Sequence, residues 1–97
     1  MNRIKIVSRP SGRAPEWMRD AWIGLELPVL GRNEGPLADV TTGEKVDRTG
    51  GYRVDVVAAF TLLAEHNESA YWVWVNDTPF SVRELIFAED CCEFIPG

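Results

Sequence analysis

The fold turns on Asp55-Val56-Val57-Ala58-Ala59-Phe60-Thr61-Leu62-Leu63-Ala64-Glu65-His66. Val56, Phe60 and Leu63 fall at i, i+4 and i+7, and Ala58, Ala59 and Ala64 are good helix formers, so the spacing predicts a helix from Asp55 to His66. Asp55 is placed to cap its start. Asn67 is expected to end it in the left-handed conformation, and His66 in the last turn suits the negative end of the helix dipole. Val57, Leu62 and the alanines widen the apolar surface, so this helix is expected to be buried on more than one side, at the centre of the core.

On the amino-terminal side of the helix, Gly50-Gly51 precedes Tyr52-Arg53-Val54, which reads as a strand ending where the helix begins. Ala38 to Arg48 reads as a short, shallowly buried hairpin turning at Gly43-Glu44, and Gly31 to Pro36 as a loop rich in turn formers. Ala21 to Leu27 is expected to be a strand with Ile23, Leu25 and Leu27 on one face and Trp22, Gly24 and Glu26 on the other. Ser8 to Pro15 is a loop leading to one helical turn at Glu16-Trp17-Met18-Arg19, and Arg3 to Val7 alternates as a half-buried strand does.

On the carboxyl-terminal side, Tyr71-Trp72-Val73-Trp74-Val75 is a run of strong strand formers and reads as a central strand. A short buried helical turn starting at Ser69 is the alternative, and periodicity does not separate the two. Asn76 to Pro79 is a turn. Leu85 to Phe87 and Cys92 to Ile95 look like strands of a terminal hairpin bracketing Glu89-Asp90.

This order gives the α+β class: a small, mostly antiparallel sheet covered by one helix, or a partly open barrel that resembles SH3-like architecture with one inserted core helix, about Asp55 to His66. The resemblance rests on element order and implies no function. With 97 residues the chain is expected to be a single globular domain, residues 1–97. Ten aromatics, four of them Trp, are a large apolar load for that length. Most must be core, because each ring buries about 150–250 Å².

No apolar stretch reaches the roughly 20 residues of a membrane helix, and Met1 to Val7 runs too soon into polar sequence to serve as a signal peptide. The expectation is a cytoplasmic protein with no membrane partner. Adjacent Cys91 and Cys92 provide no disulfide framework, which agrees with a reducing compartment and makes Asn67-Glu68-Ser69 a chance glycosylation match. The net charge of -5 is split. Through Asp20 there are five basic residues against two acidic, a net of +3, whereas the remainder carries five basic and thirteen acidic, a net of -8. A basic edge strand across an acidic body explains this better than a nucleic-acid patch, whose cations are more densely clustered.

The chemistry-bearing residues are few. A single histidine gives no metal cluster and no Ser-His-Asp arrangement, and His66 at a helix end reads as a capping or solvent-facing residue. Neither Gly31 to Gly35 nor Gly50-Gly51 has the lysine and helix start of a phosphate loop. Glu84, Glu89, Asp90 and Glu93 read as a solvated acidic face, without calcium-loop spacing. Catalysis, metal and cofactor are therefore not expected. On a strand, Cys91 and Cys92 would point to opposite faces, one into the core and the other near Asp90 and Glu93, whose charges raise a thiol pKa.

The expected function is that of a non-enzymatic protein-binding or regulatory module. Its partner surface would comprise Arg13, Trp17, Arg19 and Trp22, since Trp and Arg are the commonest anchors of interaction hot spots. The alternatives are a small thiol-dependent or redox protein using Cys91 and Cys92, and nucleic-acid binding through the basic amino-terminal segment.

Overall fold

The computed structural model describes residues 1–34, 37–38, 45–46 and 50–97. In chain order the elements are β1 (Arg3–Ile6), α1 (Glu16–Asp20), β2 (Glu26–Pro28), β3 (Gly31–Arg32), β4 (Leu37–Ala38), β5 (Lys45–Val46) and β6 (Tyr52–Asp55). They continue with α2 (Val56–His66), α3 (Glu68–Asp77), β7 (Glu84–Phe87), a 3₁₀ turn at Glu89–Cys91, and β8 (Cys92–Ile95). The class is α+β and the strand pairings are antiparallel. Among the described residues the strands form two three-stranded sheets, ordered β2-β1-β8 and β3-β6-β7, and a separate β4-β5 pair, not one closed barrel. The hairpin expected between Ala38 and Arg48 falls on the β4-β5 pair, and the rest of that stretch lies outside the described residues.

Alternation determines which side chains turn inward. Ile4 and Ile6 of β1 are buried while Arg3 and Lys5 face solvent, and Val54 of β6 with Leu85 and Phe87 of β7 supply the second sheet's inner face. Tyr52 of β6 stacks on Phe94 of β8 at 5.7 Å between ring centroids, joining the two sheets, and the Arg32 guanidinium lies over the Tyr52 ring at 5.2 Å. Gly51 makes the entry to β6 possible. Its φ is +94°, and a Cβ there would meet the Phe87 carbonyl oxygen at 2.6 Å, so only glycine satisfies both the backbone turn and the close approach.

Helix α2 forms where the spacing predicts it, with the Asp55 carboxylate accepting the Ala58 N–H at 3.0 Å and Ala59 and Leu63 fully buried. Its end differs from the expectation. Asn67 is extended (φ -154°, ψ 92°), not left-handed; its N–H donates to the Leu63 carbonyl, and its side-chain oxygen accepts the Ala70 N–H at 3.1 Å. One residue thus closes α2 and caps α3. That cap decides Tyr71 to Val75, which is helical and not a strand: capping and the packing of α3 on α2 outweigh β propensity.

Three further expectations are corrected. Ala21 to Gly24 is a succession of tight turns, with N–H groups of Trp22, Ile23 and Leu25 bonded to carbonyls three residues back, so the strand is only Glu26–Pro28. Those turns bury Trp22 and leave Ile23 exposed. Gly31–Arg32 is a strand edge paired with β6 and not a loop. The last two strands are no hairpin, because β7 pairs with β6 and β8 with β1, in different sheets. Among the described residues no helix is long and apolar enough to cross a membrane.

Candidate functional site

Helix α1 carries Trp17, which with Trp72 and Phe80 is one of three aromatic residues at least half in solvent among the described residues. Pro15 starts it with a preset φ, and its carbonyl accepts the N–H groups of Met18 and Arg19. Five residues are too few for a helix to persist alone, so its place is fixed by contacts with the body. Met18 is buried, and the indole N–H of Trp74 on α3 donates to the Met18 carbonyl at 2.8 Å. Arg19 donates to the carbonyls of Ala14 (2.8 Å) and Pro10 (3.2 Å), which folds the preceding loop against the helix. Arg9 grips the other end through both carboxylate oxygens of Asp20, at 2.7 and 3.1 Å, and reaches Glu16 at 3.3 Å. That hydrogen-bonded pairing holds the Asp20 carboxyl below its ordinary pKa and the Arg9 guanidinium above its own.

An open cleft of about 310 Å³ lies between α1 with its preceding loop and α3, lined by Arg13, Ala14, Pro15, Met18, Trp74 and Asp77. Its lining residues include the apolar Pro15, Met18 and Trp74 and the oppositely charged Arg13 and Asp77. The residues expected to form a partner surface divide sharply. Trp17 is 52% exposed, on the helix whose Met18 lines the cleft, and Arg13 lines the cleft itself. Arg19 is turned back onto backbone carbonyls. Trp22 is 2% exposed and belongs to the core, where its ring meets Phe60 at 6.2 Å, Trp74 at 5.9 Å and Phe87 at 5.3 Å. Trp22 is shielded from solvent in this fold.

Ala14, Pro15, Met18, Trp74 and Asp77 are the cleft residues that the sequence does not single out. A helical reading of Tyr71 to Val75, signalled by Asn67 as cap with Glu68 in the first turn, would have placed Trp74 and Asp77 one turn apart on one face.

Within the basic amino-terminal segment, Arg3 and Arg9 are paired with carboxylates and Lys5 stands opposite two. Arg3 pairs with Glu26 at 3.1 Å, Arg9 with Asp20 and Glu16, and Lys5 lies between Glu26 and Glu93 in the strand register. The acidic residues are likewise spread. Glu84 accepts from Arg53 at 3.1 Å, Glu89 pairs with Arg32, and among the described residues no three His, Cys, Asp or Glu side chains come together as a metal site needs. His66 is exposed in the last turn of α2.

Cys91 and Cys92 depart from the strand expectation. Because Cys91 ends the 3₁₀ turn and Cys92 begins β8, their side chains do not diverge to opposite faces, and the two Sγ atoms are 3.6 Å apart. The Cys92 pKa is pushed up, first by the hydrogen bond with Cys91 and then by burial.

Comparison with known proteins returns no match: no family model, no curated protein and no solved structure resembles the chain at the level that indicates kinship.

Proposed function

We propose that this domain is a non-enzymatic protein-binding module whose contact surface is the face of α1 and the adjoining cleft. The observation that carries the reading is the half-exposed indole of Trp17 on a short helix braced from behind. A Trp left in water forgoes most of the stabilisation its burial would provide, and on a braced element it gives a partner a large apolar contact at low entropic cost. Arg13 and Asp77 add opposite charges at the cleft, which favour one orientation of a bound segment. The anchors of the surface are Arg13 and Trp17; Arg19 positions the loop behind them and Trp22 supports them from the core.

The test compares the intact protein with Trp17→Ala and Arg13→Ala in capture from the native cell extract, with Val57→Ala on the exposed side of α2 as control. The expected result is a partner retained by the intact protein and the control and lost by Trp17→Ala. Retention of every captured protein by both surface variants would refute the assignment.

A further inference from the structure

Cys91 and Cys92 sit apart from the α1 surface, and nothing in the binding reading uses them. In a regular strand, neighbouring side chains point to opposite faces, which keeps adjacent cysteines from meeting. Here the change from the 3₁₀ turn to β8 between the two residues brings their Sγ atoms to 3.6 Å. A disulfide needs about 2.05 Å, so the sulfurs are within about 1.5 Å of bonding distance. The turn is well anchored. The Cys91 N–H and S–H both donate to the Ala88 carbonyl, at 3.2 and 3.1 Å, and the Cys91 carbonyl accepts from Val7 at 2.9 Å and Ser8 at 3.4 Å, at the end of β1. Exposure differs between the two thiols: Cys91 is 2% exposed, whereas Cys92 is only partly buried.

We propose that Cys91 and Cys92 form a reversible oxidative modification site, closing to an intramolecular disulfide by exchange with a small-molecule disulfide of the glutathione class. Exchange enters at the more accessible Cys92. Its thiolate attacks one sulfur of the small disulfide, the S–S bond breaks, and one small thiolate leaves with the electron pair. The Cys91 thiolate then attacks the Cys92 Sγ and expels the second small thiolate. Two protein thiols are oxidised, one small disulfide is reduced to two thiols, and the two protons released by the cysteines go to the departing thiolates. The shielding of Cys91 directs the first attack to Cys92, and its proximity makes resolution intramolecular. Because the Cys91 contact disfavours the Cys92 thiolate, the exchange is slow at neutral pH and quickens as pH rises.

The full chain, fully reduced, is incubated with oxidised glutathione under native conditions, quenched in acid and weighed intact. The expected product is monomeric, about 2 Da lighter than the reduced chain, without attached glutathione, blocked to alkylation at both cysteines and returned to the starting mass by dithiothreitol. Cys91→Ser removes the resolving thiol and is expected to stop with glutathione attached at Cys92. Accumulation of the mixed disulfide on the intact chain, disulfide-linked dimers, or closure only after denaturation would each overturn the proposal, as would two unreacted thiols after prolonged incubation.

Discussion

Trp17 and Trp22 are five residues apart in the chain and differ sharply in exposure, 52% against 2%. Trp22 is the hub of an aromatic cluster that gathers α2, α3 and β7, while Trp17 leaves half of its surface in water on a helix of five residues. The difference comes from the backbone between them. The tight turns from Ala21 to Gly24 end at a glycine with φ +94°, whose N–H donates to the Ile6 carbonyl, and they swing the second ring under the helix that carries the first. The core ring and the surface ring are parts of one arrangement: the interior fixes α3, α3 holds α1 through Trp74, and α1 presents Trp17.

The contrast is most severely tested at its buried end. Trp22→Ala is expected to cost about 3–5 kcal/mol, a large fraction of a small domain's stability, measured as a lower urea midpoint by far-UV circular dichroism. A loss below about 1 kcal/mol would mean that this ring is not the hub of the core. Trp74→Phe keeps most of the ring but leaves the Met18 carbonyl without the indole N–H, at an expected cost of about 1–3 kcal/mol. Hydrogen exchange should then quicken in α1 before the rest of the protein, because that bond ties the short helix to α3.

Much of this was legible in the sequence, and where it was not, the reason is physical. Helix α2 was visible because its apolar residues have a period and Asp55 marks its start. Helix α3 was not, because Tyr71 to Val75 is apolar on every side and only the Asn67 cap reveals the helix, at a position that also reads as the end of α2. The sequence points to Arg13 and Trp17 without settling their exposure, and alternation misplaces Trp22 because a run of tight turns buries a ring that a strand would expose. The meeting of Cys91 and Cys92 depends on one change of backbone geometry between adjacent residues, which no spacing pattern encodes.

Smaller effects refine the same comparison. Trp17→Ala should cost about 1–2 kcal/mol, clearly less than Trp22→Ala, since about half of Trp17 is already in water. A drop as large as that of Trp22→Ala would erase the distinction between the two rings. Asn67→Ala removes the cap of α3, and a loss of about 1 kcal/mol is expected by urea titration, with Gly at that position costing less.

The slightest expected change is electrostatic. Asp20 has a lowered pKa in the folded state, so its pairing with Arg9 favours the fold at pH above the unfolded carboxyl's pKa and ceases to do so as pH falls through the folded value. Arg9→Gln should move the Asp20 titration, followed by carboxyl NMR shifts, back up towards the ordinary aspartate range. An unchanged titration would show that Arg9 does not hold α1 by this contact.

The most direct test of the central claim joins the two properties of Trp17 in one variant. Trp17→Ala is examined for its unfolding midpoint and for capture of the partner retained by the intact protein. The expected result is capture lost while the midpoint falls far less than in Trp22→Ala, whereas undiminished capture by a folded Trp17→Ala protein would contradict the account.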